Sequence, residues 1–299
     1  MMRFTVKAPA SSANLGPGFD AIGLALDLWN EVDVALADET VVRLEGPDGS
    51  MLVDRENLVL TAMKTLADEH ERELPPLELT VRANVPVARG LGSSAAAIVM
   101  GLAAANEVLD LRLDLTGIYG AAWRMEGHGD NVGAAVYGGA VLAVPGLSDV
   151  LKLRQERQYP LNAVVFIPEM TGATYAARAA LPAQIPLADA AFNLATTSSL
   201  AVGLLTGNTE AIGAGMHDRL HEPYRARLFP HLEPVRAAAR DSGAIGACLS
   251  GAGPTVLALV TPHCVDRVAA AMSKAAEGSE TPGRVCTLAV AEQGVRVDW

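Results

Sequence analysis

At 299 residues, half of them hydrophobic and only 4% aromatic, the chain has material for aliphatic, alanine-rich cores in two ordinary domains. Its formal net charge of −11 argues against nucleic acid or an anionic membrane as the main partner. No apolar run reaches the roughly 18 residues of a membrane span, and residues 1–10 alternate instead of forming a signal-peptide core, so a soluble, cytoplasmic protein is expected.

Phe4, Val6 and Ala8 alternate with polar neighbours and predict a first strand. Pro9 to Asp20, rich in Ser, Asn, Gly and Pro, reads as a long loop of the kind that carries function. Within it Asn14 and Asp20 suit a small polar ligand, and both also suit ordinary turns. Strands are predicted over 32–36 and 41–45, with a turn at 46–49. Asn57 can cap a helix running to about His70. Leu77, Leu79 and Val81 then alternate in a strand that leads into the central segment of the chain.

That segment, Pro86-Val-Ala-Arg-Gly-Leu-Gly-Ser-Ser-Ala-Ala-Ala97, sets two glycines and two serines between the strand and an alanine-rich helix, 94–109. Gly90 and Gly92 permit a backbone path that side chains resist, and close approach of a ligand. Ser93 and Ser94 fall where hydroxyls meet the free N–H groups of a helix start. Such an N-terminus favours a phosphate.

Leu115, Ile118, Ala122 and Met125 follow helical spacing. Glu126 to Asn131 reads as a short polar loop, and a strand is expected at 141–144. The pattern loosens over 147–157, which divides the chain into domains 1–152 and 153–299. A buried strand is predicted at 161–167, then helices at 174–180, 188–206, 208–220 and 230–241. Residues 245–260 read as strand, glycine turn and strand, followed by a helix at 264–276 and a strand at 284–291. Cys248, Cys264 and Cys286 are odd in number and widely spaced, and form neither a metal pattern nor a disulfide framework. The mixture predicts an α+β protein.

Gly16-x-Gly18, Gly90-x-Gly92 and Gly251-x-Gly253 superficially fit a dinucleotide fingerprint. None has the required strand-end acid about 20 residues on: Asp110 falls at a helix end, and Pro86 stands in the approach. No lysine follows any glycine cluster, which excludes a Walker A loop. Phosphates would be held by backbone amides, the helix dipole, a magnesium ion and Arg89, with Ser94 and Glu126 as oxygen ligands of the metal. Lysine is confined to Lys7, Lys64, Lys152 and Lys274, so arginines are the expected anion ligands.

Residues 86–96 resemble the central ATP-binding motif of the GHMP kinases, the superfamily of galactokinase, homoserine kinase, mevalonate kinase and phosphomevalonate kinase. Lys7 to Asp20 resembles its first motif and Leu249 to Thr255 its third, in the expected order. Within the superfamily, Ser12-x-Asn-Leu-Gly-Pro-Gly-Phe-Asp20, Glu126-Gly-His-Gly-Asp-Asn-Val132 and Gly138-Gly139 are similar to the homoserine kinases. The resemblance implies an N-terminal domain with a left-handed βαβ unit, and a ferredoxin-like α/β sandwich after it. It implies ATP-dependent phosphorylation of the L-homoserine hydroxyl in threonine biosynthesis, with ATP and Mg2+, and small-molecule partners only. A homodimer is one open assembly.

Matched position by position, the resemblance places Asn14, Asp20, His128, Arg178 and Arg225 around homoserine. The chemistry fits, with an acid for the ammonium group and an arginine fork for the carboxylate. Asn57 matches a position near adenine. Pro86, Val87, Ala88, Arg89, Gly90, Leu91, Gly92, Ser93, Ser94, Ala95 and Ala96 match the nucleotide loop, and Ser250, Gly251 and Gly253 match its support. Where related mevalonate kinases carry a proton-accepting aspartate, this chain has Asn131. Asp130 is adjacent, with its side chain expected to point elsewhere. In-line transfer without a dedicated base is therefore expected, helped by Asn131, Thr174 and Arg178. A mevalonate-type kinase and a non-catalytic ligand-binding protein on the same fold remain the alternatives.

Overall fold

The computed structural model describes residues 2–48, 57–154, 159–172 and 174–299, the side chain of Thr174 excepted. The first half builds a sheet from β1 (Arg3–Asn14), β2 (Gly18–Leu36), β3 (Val41–Glu45), β4 (Leu77–Arg82), β5 (Ala140–Leu142) and β6 (Leu151–Lys152). Four helices pack on it: α1 (Leu58–Glu69), α2 (Ser93–Val108), α3 (Leu115–Glu126) and α4 (Asp130–Tyr137). β3 and β4 are parallel with α1 between them, forming the βαβ unit; β1, β2, β4 and β5 pair antiparallel. Alternate residues Phe4, Val6, Val32, Val34, Leu77 and Leu79 meet the helices, as period-two strands require.

The second half is an antiparallel sheet of β7 (Asn162–Pro168), β8 (Gly246–Leu249), β9 (Val256–Val260) and β10 (Gly283–Ala289), in the order β10-β7-β9-β8. Its helices are α5 (Thr174–Ala179), α6 (Leu187–Thr206), α7 (Thr209–Gly215), α8 (Glu222–Arg225), α9 (Leu232–Asp241) and α10 (Val265–Gly278). One face, carrying Val164, Phe166 and Ala258, packs on α9 and α10. The other, carrying Ala163, Val165 and Leu257, packs on Leu200, Leu204 and Ile212 of α6 and α7. With both faces covered, β7 beyond Asn162 and all of β9 are apolar instead of alternating. The second face also meets Ala10, Leu15, Ile22, Leu24 and Leu26, so the two sheets share one interior.

Several sequence expectations need correction. Pro9–Asp20 is not a loop: β1 continues to Asn14, residues 15–17 turn, and β2 resumes at Gly18. Its small residues suggest a turn, yet Ala10, Ser11, Ser12 and Ala13 are buried and paired with β2, and a register shift beside Pro9 absorbs the proline. Residues 126–131 are not one loop either, because α4 starts at Asp130. The helix predicted over 208–220 stops at Gly215. A strand absent from the prediction, β11 (Arg296–Asp298), pairs with β1 and returns residues 296–298 to the first sheet.

Candidate active site

Three segments distant in sequence are bonded into one cradle. Ser11 N donates to Leu91 O at 3.0 Å, Gly251 N to Ala13 O at 3.1 Å and Thr255 N to Arg89 O at 3.3 Å. The buried Ser250 hydroxyl donates to Gly90 O at 2.6 Å and lies 2.8 Å from Ser12 Oγ. Glycine is required where these strands of backbone touch. At Gly90, φ is +76°, and a Cβ would stand 2.3 Å from Ser250 O. At Gly92, φ is +69°, and a Cβ would stand 2.1 Å from Ser11 Oγ. Gly92 is also the N-cap of α2, without a side-chain cap. Ser93 and Ser94 are thus the first residues inside the helix and do not cap it, which leaves the leading amides available to an anion.

The cradle faces a cleft of about 350 Å3. Asn57, the loop from Pro86 to Ser94, Gly251 and Gly253 line it; Ala95, Ala96 and Ser250 lie buried behind that surface. Asn57 Oδ1 accepts from Val59 N and Leu60 N, each at 3.1 Å, so this residue both caps α1 and borders the cleft. Ser94 Oγ donates to Glu126 Oε2 at 3.2 Å. Burial pushes the Glu126 carboxyl up, with His128 and Ser94 pulling it back. Arg89 lies on the wall, but its guanidinium is occupied by Asp48, Val87 O, Pro168 O and Glu169 O, at 2.9–3.1 Å. It ties the nucleotide-type loop to the end of β7 and does not offer the free charge expected of it.

At the other end stand the residues predicted for an amino acid. Arg178 and Asp20 form a forked ion pair at 2.9 and 3.1 Å, half exposed to the cleft. Arg225 is 2% exposed, and its Nε and Nη1 bond Ala177 O, Gly251 O and His221. Phe19 lies 5.4 Å from the Arg225 guanidinium and 5.6 Å from that of Arg178. Asn14, at φ +72°, donates to Gly251 O at 2.9 Å and accepts from Asp20 N at 3.1 Å. Its amide therefore fixes the backbone of Asp20 as well as bordering the cleft. Asn131 Oδ1 accepts from Ser11 Oγ at 2.9 Å. The side chain of Thr174 lies outside the described residues.

Asp130 does not point elsewhere. It lines the cleft, bonds His128 Nδ1 at 2.7 Å and accepts from Asn131 N at 2.7 Å. Asp130 holds the imidazole above its ordinary pKa, against the opposing effect of burial. Also absent from the prediction are Ser11, Asp218, His221 and Glu222, all buried. Asp218 accepts from the amides of Leu220, His221 and Glu222 at 2.7–3.0 Å in the turn before α8, the turn chemistry that an Asp two residues ahead of such amides serves.

The cleft thus has the start of α2 at one end and an acid–arginine set at the other. The GHMP kinases N terminal domain family matches residues 57–139, and the GHMP kinases C terminal family residues 200–278. The chain belongs to the GHMP kinase family. Its similarity within that family is to homoserine kinases. That of Desulfitobacterium hafniense is 41% identical over 98% of this chain and 99% of the relative. That of a Synechococcus strain is 39% identical over 99% of this chain and 98% of the relative. The crystal structure of homoserine kinase from Cytophaga hutchinsonii superposes with a TM-score of 0.88 at 33% identity, covering 99% and 97% of the two chains. Mevalonate kinase from L. major, in complex with R-mevalonate, shares the fold at TM-score 0.72 and 17% identity over 96% of each chain.

Proposed function

We propose that the chain transfers the γ-phosphoryl group of ATP to the side-chain hydroxyl of L-homoserine, giving O-phospho-L-homoserine. The observation that carries this is the Asp20–Arg178 fork facing Arg225 in the same cleft as the glycine cradle. Homoserine is a zwitterion that can replace both halves of that fork. Its ammonium goes to Asp20 and its carboxylate to Arg178 and to Nη2 of Arg225, which has no partner among the described residues, so each of the three side chains faces an opposite charge. Mevalonate has no ammonium group for Asp20, which favours the amino acid over that alternative.

The α2 amides and the Gly90–Gly92 backbone hold the phosphates, and Asn57 borders the adenine side. Ser94 and Glu126 are a hydroxyl and a carboxylate 3.2 Å apart, the oxygen set that magnesium takes beside phosphate. Burial raises the Glu126 carboxyl, and a cation beside it would oppose that shift. A bound Mg2+ would neutralise charge on the transferred phosphoryl group. Asn131 stands where a carboxylate base would be needed and cannot accept a proton. The chain's own contribution is positioning: His128, held by Asp130, and Asn131 border the acceptor hydroxyl, and Arg178 balances developing negative charge. Thr174 is assigned to the same step by resemblance. The reading includes domains divided near residue 152, a cytoplasmic enzyme and a homodimer.

A coupled ADP-release assay with homoserine, mevalonate and other small alcohols, with and without Mg2+, tests this. Magnesium-dependent turnover of homoserine above the other alcohols is expected. Tight ATP binding with no turnover of any alcohol would make the chain a ligand-binding protein instead.

A further inference from the structure

Arg225 is a buried cation whose charge is not cancelled by its fixed hydrogen-bond partners. Its Nε donates to Ala177 O, and its Nη1 donates to Gly251 O and to His221 Nδ1, each at 3.1 Å. Two carbonyls and an imidazole orient the guanidinium without neutralising it. Nη2 has no partner among the described residues and is left for the cleft. A carboxylate in place of the imidazole would aim the arginine equally well. It would also compete with any anionic ligand for the charge.

His221 is fully buried, and its tautomer follows from its surroundings. Nε2 lies 2.7 Å from Gly16 O, which can only accept, so Nε2 carries the hydrogen and Nδ1 presents its lone pair to Arg225. Arg225 donating to Nδ1 and Gly16 O accepting from Nε2 leave room for one ring hydrogen, which makes the ring neutral; burial lowers its pKa in the same direction, with Asp218 opposing. Asp218 fixes the backbone beneath the ring. Its Oδ2 accepts from His221 N at 2.8 Å, and its Oδ1 from Asn193 Nδ2 at 2.7 Å. The ring also lies 5.3 Å from that of Phe19, beside Asp20.

We propose that His221 is a positioning residue for the acceptor substrate. As the neutral Nε2–H tautomer, anchored on Gly16 O, it locks Arg225 so that Nη2 meets a carboxylate. This role rests on Arg225 binding the homoserine carboxylate.

Steady-state kinetics test it, with 3-aminopropan-1-ol, the same skeleton without the carboxylate, as substrate or competitive inhibitor. His221→Phe keeps a ring beside Phe19 and removes both Nδ1 and the Nε2–H that anchors the ring on Gly16 O. The homoserine KM should rise about tenfold, with the ATP KM, kcat and the response to 3-aminopropan-1-ol within about twofold. His221→Asn, whose Oδ1 falls near the place of Nδ1, should recover most of the loss. Should the phenylalanine variant not fold, His221→Gln, which keeps a donor for Gly16 O but not the Nδ1 acceptor, carries the same comparison. Equal losses for homoserine and 3-aminopropan-1-ol, or no recovery in His221→Asn, overturn the proposal. Arg225→Met is the control. If the homoserine KM does not move there, Arg225 is not the carboxylate ligand. If it moves there but not in His221→Phe, only the role of His221 is lost.

Discussion

Replacing Gly90 by alanine tests whether the two glycine loops must touch for the cradle to exist. The added Cβ would stand 2.3 Å from Ser250 O and 2.9 Å from Gly253 O, and ordinary contact begins beyond 3.4 Å. The third loop therefore has to retreat by about 1 Å, and both atoms met are backbone, which cannot swing aside. That retreat breaks the Ser250 Oγ to Gly90 O bond and strains that from Gly251 N to Ala13 O, at about 1 kcal/mol each. The left-handed φ of +76° adds roughly 1–2 kcal/mol for any residue with a Cβ. The sum is about 3–4 kcal/mol. Gly146 supplies the control: its φ is +91°, yet nothing lies within 4 Å of its Cβ position. Gly146→Ala should cost only the backbone share, about 1–2 kcal/mol. Denaturant titration of both variants, with ATP affinity by calorimetry, separates the effects. Gly90→Ala should lose at least 2 kcal/mol more than Gly146→Ala and bind ATP at least about tenfold more weakly. Equal destabilisation by the two alanines would refute the close-approach argument.

Other substitutions probe the two ends of the cleft and the packing behind it. Asp20→Asn should raise the homoserine KM by about tenfold or more, the value of a charge-assisted bond, and leave the ATP KM alone; parallel changes in both constants would remove the ammonium from Asp20. Ser94→Ala and Glu126→Gln should each raise the Mg2+ concentration needed for half-maximal rate, at unchanged homoserine KM, and an unaltered Mg2+ titration would exclude them as ligands. Burial pushes the Glu222 carboxyl up to about 7 despite Arg236, which keeps its own charge through Glu222 and Glu233. A raised carboxyl contributes its stability below 4.5 and loses it as pH climbs through about 7, a span on the order of 3 kcal/mol. Glu222→Gln should accordingly flatten the fall in Tm between pH 5 and 8, and an unchanged pH profile would show that Glu222 does not drive it.

The sequence made the nucleotide half of the cleft legible because glycine spacing and a helix start are local signals. Gly90, Gly92 and the strand before them occupy neighbouring positions in both chain and space. The acceptor half was legible only through motif resemblance. Arg178 and Asp20 are 158 residues apart, and nothing local distinguishes a cleft arginine from a solvated one. Arg89 misled for the reverse reason: a cation inside a phosphate loop suggests a ligand, yet tertiary carbonyls from 168 and 169 consume its donors. Ser11 and Ser12 looked like turn residues because composition cannot reveal that small polar side chains are the price of seating α2 and α4 against β1. Asp130 was misjudged for want of α4, whose start directs its carboxylate to His128.

The return of β11 to β1 affects the order of synthesis. Thr5, Val6 and Lys7 are made before the other strands of both sheets, and their partners at 296–298 only after them. Until then that outer border of the first sheet is an open edge, able to pair with another nascent chain. Lys7 meets this hazard twice. Its charge, 3.4 Å from Glu31 of β2, discourages pairing while the edge is open, and it gains a second ion pair, with Asp298 at 3.5 Å, when the late strand arrives.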